Sequence, residues 1–156
     1  GLPGQSLESI AKDIDLFVAW DLDMVGIGPF IAHPDTPLGE APNGSVELSL
    51  RALAVTRILL PYAHMPATTA LETLDPKGRE RALKAGANVI MPDITPEAYR
   101  HKYEIYPGKG RWDGGIRESR QRTEELVHSL GRRLALDQGH SGKTLKGGKN
   151  YDEYRS

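Results

Sequence analysis

The chain has 156 residues, a formal net charge of −1, 38% hydrophobic residues and 26% charged residues. This length and composition predict one soluble globular domain, and the near-zero charge argues against a nucleic-acid partner. There is no cysteine, which excludes disulfides and thiolate-bound zinc or iron–sulfur clusters on this chain. No apolar run reaches the length of a membrane span and no signal peptide is visible, so we expect no membrane partner and a cytoplasmic location.

The first part of the chain alternates helical and strand-like patterns. After the Gly1–Gln5 turn, apolar residues recur at helical spacing behind Ser6, which suits an N-cap. Residues 23–30, DMVGIGPF, are apolar without alternation, as in a strand that is covered on both faces. A long loop over residues 33–44 then leads to a second helix that starts at Ser45.

The same alternation continues to about residue 100. Residues 64–70 are predicted to form the second strand, and residues 76–86 the third helix, which a glycine ends. A third strand is expected at 88–91, and the sequence Thr-Pro-Glu at 95–97 is a strong helix start. Helices that alternate with buried strands predict a parallel sheet with right-handed crossover connections.

Three such strands are too few for a doubly wound sheet, and they predict the C-terminal half of a (β/α)8 barrel of the TIM type. The opening turn would then belong to a strand left off this chain, in agreement with the absent initiator Met. We divide the chain into the half barrel at 1–109, a charged helical extension at 110–136 and a disordered tail at 137–156. The tail is predicted from its Gly, Ser and Lys content and its near lack of aliphatic residues.

Candidate functional residues lie at the C-terminal ends of the predicted strands, where barrels place their chemistry. These ends hold Gly, Pro, Thr and Met with few acids or bases, which suits holding a ligand better than moving protons. Thr68 and Thr69 could offer hydroxyls to an anion, or could fill a strand as β-branched residues. Met24 and Met91 are core residues by default, although thioethers also suit an irregular ligand wall. Tyr103 could hydrogen-bond a ligand or pack on a helix face.

Five stretches together resemble one family closely: GLPGQ, DMVGIGPFIAHPDTPL, ALAVTRILLP, PATTAL and GANVIMPDITPEAYRHKYEIYPGK. The family is that of the radical S-adenosylmethionine maturases of FeFe hydrogenases, the E type, which are related to biotin synthase. The resemblance covers residues 1–109. The motifs GIGPF, HPDTPL and PATTAL, in that order, are its most specific part.

The resemblance implies a barrel enzyme whose first half binds a 4Fe–4S cluster through a Cys-x-x-x-Cys-x-x-Cys loop. The reduced cluster cleaves S-adenosylmethionine to a radical, which acts on a small iron-containing substrate during assembly of the diiron site of the hydrogenase H-cluster. Because the cysteine loop is absent here, the chain would supply cavity and part of the cofactor site and would be inactive alone. Its implied partners are the N-terminal half of the same barrel and other hydrogenase maturation proteins.

The resemblance also implies roles for individual residues. Contacts to S-adenosylmethionine are implied for six residues: Gly1, Leu2, Pro3, Gly4, Met91 and Tyr103. Substrate contacts are implied for Met24, Pro29, Thr68 and Thr69, with the two threonines at an anion site. No catalytic residue and no metal ligand is implied. The alternatives left open are another biotin synthase-like radical enzyme, a non-catalytic half barrel that binds a ligand, and an ordinary barrel enzyme that holds a phosphate.

Overall fold

The computed structural model describes residues 1–100, 102–103, 105–109 and 115–143. Six α-helices follow one another along these residues: α1 Leu7–Ala19, α2 Val46–Leu59, α3 Thr69–Leu74, α4 Gly78–Ala85, α5 Glu97–Arg100 and α6 Ile116–Ser129. Helix α2 packs against α1 and α4, and α4 also packs against α3. Within the described ranges, none of these helices combines the length and the apolar character needed to cross a membrane.

Serine caps fix the starts of the first two helices, as the sequence predicts. The Ser6 hydroxyl accepts from the Ser9 N–H at 3.1 Å, and the Ser45 hydroxyl accepts from the Leu48 N–H at 3.2 Å. Each bond satisfies one of the backbone donors that the first turn of a helix leaves without a partner. The predicted helices after residues 6 and 45 are therefore confirmed, together with the residues that cap them.

The predicted half barrel with three parallel strands is wrong, because the described residues form no β-sheet. The three predicted strands meet through two isolated parallel bridges, one between Met24 and His64 and one between Pro66 and Val89. The second predicted strand does not continue to residue 70 either, because helix α3 begins at Thr69. The order of the segments along the chain is as predicted, but the ladders that would join them into a sheet are missing.

Two features of the sequence explain why pairing stops after single bridges. Pro66 lies at one of the two bridges and has no N–H that could extend a ladder. Pro29 and Pro92 in the flanking segments lack this donor too. The side chain of Asn88 also competes with the backbone, because its Oδ1 accepts from the Met65 N–H at 2.8 Å. The apolar pattern of these segments thus predicts that they are buried, but whether they form a ladder depends on which groups their backbone N–H donors meet.

The core lies where α2, α3 and α4 enclose the middle predicted strand. Its largest fully buried side chains are Leu53, Met65, Leu71 and Thr56. The Thr56 hydroxyl is accommodated because it donates to the Ala52 carbonyl at 2.8 Å. This core supports α3 and α4, which form part of the cavity described below.

The C-terminal region contacts this body. Helix α6 ends at Ser129, whereas the charged helical extension was predicted to reach residue 136. Residues 137–143 also make contacts, and the Ser141 side chain among them is buried. The remainder of the predicted tail, residues 144–156, lies outside the described residues, so the division into three parts stays a prediction.

Candidate functional site

A cavity of about 1220 Å³ opens between α3, α4, α6 and the loops that follow the first and third predicted strands. Three of the residues singled out in the sequence line it: Thr69 at the start of α3, Met91 and Tyr103. Ligand pockets commonly measure about 300–1,000 Å³, so this space is large enough for a cofactor and a small substrate together. The structure therefore brings two predicted cofactor contacts and one predicted substrate contact into one place.

The other predicted contacts lie elsewhere in the described part of the chain. Met24 forms the bridge to His64 and is half exposed, whereas Pro29 is buried. The turn of Gly1, Leu2, Pro3 and Gly4 is exposed. Its Leu2 N–H donates to the Gln5 Oε1 at 3.2 Å, so this backbone donor is already used within the turn. The assignment of these residues to a cofactor or a substrate stays a prediction.

The two neighbouring threonines occupy different environments. The Thr68 Oγ1 is fully buried and has no hydrogen-bond partner among the residues that the structure describes. It faces Gly28, where an added Cβ would lie 2.6 Å from this oxygen. Thr68 is the N-cap residue of α3 but makes no capping bond with its side chain. Thr69 lines the cavity, so the pair predicted as one anion site is divided between a packed contact and a cavity wall.

Tyr106 stands beside Thr69, and the sequence analysis did not identify it. Burial raises the pKa of the Tyr106 phenol, while hydrogen bonds with the Thr73 and Thr69 side chains and the charge of Arg79 lower it in part. The phenol therefore stays neutral at physiological pH and can donate or accept a hydrogen bond with the threonines of α3. Its position three residues after Tyr103, in a Tyr-Pro-Gly turn, is the one signal in the sequence that could have pointed to it.

A carboxylate with two arginines forms the charged wall of the cavity. The Glu72 Oε2 of α3 lies 3.0 Å from the Arg79 Nε of α4, and its Oε1 accepts from the Arg122 Nη2 of α6 at 2.9 Å. Within the described residues, the buried Arg79 Nε makes this ion pair without a hydrogen bond. The sequence analysis missed this group because its members lie on three helices up to 50 positions apart.

The cavity lining also holds a cation–π pair. The Lys109 Nζ lies 3.6 Å from the centroid of the Tyr103 ring. Burial lowers the pKa of Lys109, and the Asp93 carboxylate acts in the opposite direction. One face of the Tyr103 ring is thus covered by an ammonium group, which leaves the ring edge and the hydroxyl for other contacts.

The residues present do not fit an iron–sulfur cluster. The sequence has no cysteine, and the described residues contain no group of three His, Cys, Asp or Glu side chains that could hold a metal ion. The lining of the cavity offers hydroxyls, a thioether, one aromatic ring and several charged side chains, a set that fits an organic ligand better.

Comparison with known proteins finds relatives of known name, although no family model matches the chain. It is 54% identical over 109 residues to the [FeFe] hydrogenase maturase subunit HydE of Thermotoga maritima, a match that covers 70% of this chain and 31% of that protein. It is 32% and 26% identical over 127 residues to the 3-methylornithine synthases of Methanosarcina acetivorans and Methanosarcina barkeri. Each of these matches covers 81% of this chain and 34% of the relative, so the chain spans about a third of the length of the curated relatives it matches. The resemblance found in the sequence is thereby confirmed: over 70% of its length this chain is similar to the maturase subunit HydE, of which it covers 31%.

Proposed function

We propose that this chain is part of a radical S-adenosylmethionine enzyme that acts in assembly of the diiron site of the FeFe-hydrogenase H-cluster. The observation that supports this role most directly is the 54% identity with the maturase subunit HydE. The similarity to the two 3-methylornithine synthases is lower and supports the radical enzyme family in general. Within the enzyme, the chain supplies the substrate cavity and part of the cofactor site.

One part of the cavity, around Met91, Tyr103 and Thr69, has the chemical character that such an enzyme needs. A carbon-centred radical removes hydrogen from most groups near it, so its chamber should keep out water and hold few reactive side chains. In this part Met91 contributes a thioether, Tyr103 contributes an aromatic ring, and Thr69 contributes a neutral hydroxyl. The carboxylate of Glu72 lies at the charged wall, where it forms ion pairs with Arg79 and Arg122.

S-adenosylmethionine, when bound beside a reduced 4Fe–4S cluster, supplies the 5′-deoxyadenosyl radical of this family. We place its contacts on this chain at Met91 and Tyr103, which share the cavity with the substrate-side residue Thr69. The cluster ligands would come from the part of the relatives' length that this chain does not span. In this arrangement the residues of the chain bind, orient and exclude water, and none of them transfers an electron.

The chain by itself is expected to bind no iron–sulfur cluster, because it offers no thiolate ligand. Anaerobic reconstitution with iron and sulfide, followed by desalting and analysis of both elements, checks this. We expect far less than one cluster per chain. Iron and sulfide at the ratio of one 4Fe–4S cluster per chain would contradict the expectation, and a cluster-binding relative treated in parallel is the positive control.

The proposed function can be tested by exchange of a matching segment. The 109 residues of the Thermotoga maritima HydE that match this chain are replaced by those of this chain, and the hybrid is reconstituted anaerobically. We expect the hybrid to cleave S-adenosylmethionine and to support maturation of a FeFe hydrogenase. A hybrid that cleaves the cofactor but yields no active hydrogenase would reject the H-cluster role and leave the family assignment intact. A hybrid that binds its cluster but does not cleave the cofactor would reject both.

The different environments of the threonines give a matched pair of variants in the same hybrid. Thr69→Val removes a cavity hydroxyl, and the loss of one hydrogen bond to an anionic ligand weakens substrate binding by about 10- to 100-fold. Thr68→Val removes a buried hydroxyl without a partner, so it should leave binding unchanged and raise the melting temperature. Substrate titration and thermal unfolding of both variants measure this. Equal loss of affinity in both would show that Thr68 contacts the ligand as well.

A further inference from the structure

A tight turn of the sequence Tyr-Pro-Gly-Lys, at residues 106–109, holds a lysine at the cavity. The Lys109 N–H donates to the Tyr106 carbonyl at 3.2 Å, and Gly108 has a φ of +81°, as the third residue of a type II turn requires. The Tyr106 side chain forms hydrogen bonds with two threonines of α3. The turn is therefore attached to α3 at its first residue, and its backbone fixes the position from which the Lys109 side chain extends.

The ammonium of Lys109 meets an aromatic ring in place of a carboxylate. Its Nζ lies 3.6 Å from the centroid of the Tyr103 ring. Burial lowers the pKa of Lys109, so water solvates this ammonium less well than it would at an open surface. The Asp93 carboxylate opposes this effect through its charge, without a hydrogen bond to the lysine. Within the described part of the chain no carboxylate lies at ion-pair distance from Lys109, so its N–H donors are available to an acceptor that comes with a ligand.

Both glutamates in the cavity lining already have cationic partners. Glu72 forms ion pairs with Arg79 at 3.0 Å and with Arg122 at 2.9 Å, and Glu80 forms one with Lys84 at 2.6 Å. Neither carboxylate is therefore free to neutralise the lysine of the turn.

Two other lysines show that the placement of Lys109 is particular to it. Lys77 also lines the cavity, but its side chain is exposed, so water solvates its charge. Lys102 lies beside a tyrosine as well, yet its Nζ is 6.0 Å from the centroid of the Tyr99 ring, and neither residue lines the cavity. Among these three lysines, Lys109 alone is both half-buried and part of the lining.

We propose that Lys109 binds a carboxylate of the ligand that occupies the cavity, an inference that rests on the proposed function. A carboxylate at the ammonium accepts a charge-assisted hydrogen bond and replaces the solvation that the ammonium loses on burial. Met91 and Thr69 share the cavity with Lys109 and offer contacts to the uncharged parts of the same ligand. The carboxylate can belong to the methionyl part of S-adenosylmethionine or to a separate substrate, and the experiment distinguishes these two sources.

Calorimetric titration of the full chain with matched probes tests the role of Lys109. L-Methionine and L-methioninol differ only in the carboxylate, and S-adenosylmethionine is compared with 5′-methylthioadenosine, which lacks the part that carries the carboxylate. We expect Lys109→Met to weaken the binding of a carboxylate probe by about 10- to 100-fold, the loss of one charge-assisted hydrogen bond. The affinities for L-methioninol and 5′-methylthioadenosine should not change.

The two carboxylate probes identify the source of the carboxylate. Weaker binding of S-adenosylmethionine to Lys109→Met assigns the carboxylate to the cofactor. Weaker binding of L-methionine alone, measured with S-adenosylmethionine present at saturation, assigns it to a separate substrate.

Two further variants show whether the charge at position 109 is the cause. Lys109→Arg keeps the charge and the donors, so most of the affinity should remain. Lys102→Met is the matched control, because Lys102 is exposed and lies outside the cavity lining. Unchanged affinity of Lys109→Met for both carboxylate probes, an equal loss in Lys102→Met, or no saturable binding of either carboxylate probe to the full chain would overturn the proposal. Each of these outcomes leaves the maturation test of the hybrid unaffected, so a failure of this site and a failure of the proposed function can be told apart.

Discussion

Replacement of Gly78 by alanine is expected to destabilise the fold by about 3 kcal/mol or more, although alanine is the better helix former. Helix α4 begins at this residue, and its first turn lies directly on α3. A Cβ at position 78 would lie 2.2 Å from the Leu71 carbonyl oxygen and 2.9 Å from the Glu72 nitrogen. Both neighbours are backbone atoms of α3, so no side chain can rotate away and the two helices have to separate.

Urea unfolding followed by far-UV circular dichroism measures the effect of Gly78→Ala. The matched control is Gly26→Ala, because a Cβ at position 26 meets no atom within 4 Å and the glycine is exposed. We expect the control to change the free energy of unfolding by less than about 0.5 kcal/mol, as surface substitutions usually do. Similar midpoints for both variants would show that α3 and α4 can move apart at little cost, and the close packing of the cavity wall would lose its importance.

The helices could be predicted from the sequence because their signals are local. Ser6 and Ser45 cap the first two helices with their own side chains, and a bond between a cap and the third residue after it needs no distant partner. Gly86 ends α4 at a φ of +124°, a conformation that favours glycine. In each case the residue that begins or ends a helix lies within a few positions of the helix end that it stabilises.

The sheet could not be predicted because strand pairing depends on a second segment. The apolar run at 23–30 is consistent with a buried strand, yet it meets His64 at a single bridge. A side-chain amide, that of Asn88, takes the Met65 donor that a ladder would have used. Nothing in the local pattern around residue 65 shows that an asparagine 23 positions later will compete for that N–H.

Only part of the candidate site could be predicted, because contacts between segments remote in sequence leave no local signal. Thr69, Met91 and Tyr103 were chosen on motifs that resemble a known family, and the structure places these three on one cavity. Tyr106, Glu72 and Arg122 were missed because their importance comes from contacts between elements that are remote in sequence. A glutamate in the first turn of a helix is ordinary by itself, and it becomes notable when two arginines from other helices meet it.

Replacement of Arg57 by methionine is expected to lower the free energy of unfolding by about 3 kcal/mol, because one guanidinium serves several backbone acceptors. Its Nε donates to the Gly86 carbonyl at 2.8 Å, and its Nη1 donates to the carbonyls of Pro61 and Leu60 at 2.9 and 3.2 Å. These carbonyls lie at the ends of α4 and α2, where no further helical turn can satisfy them. Burial lowers the pKa of Arg57, and nearby Arg132 adds to this, but an arginine stays charged at any physiological pH.

Two further variants separate the geometry of this guanidinium from its charge. Arg57→Lys keeps the charge, but one ammonium cannot span the same carbonyls, so more than half of the destabilisation should persist. Arg51→Met is the matched control on the same helix, where the arginine side chain is 74% exposed and bonds to Glu47 at 3.2 Å. An exposed pair of this kind contributes less than about 0.5 kcal/mol. Unfolding midpoints for Arg57→Met and Arg51→Met that coincide would contradict the role of Arg57.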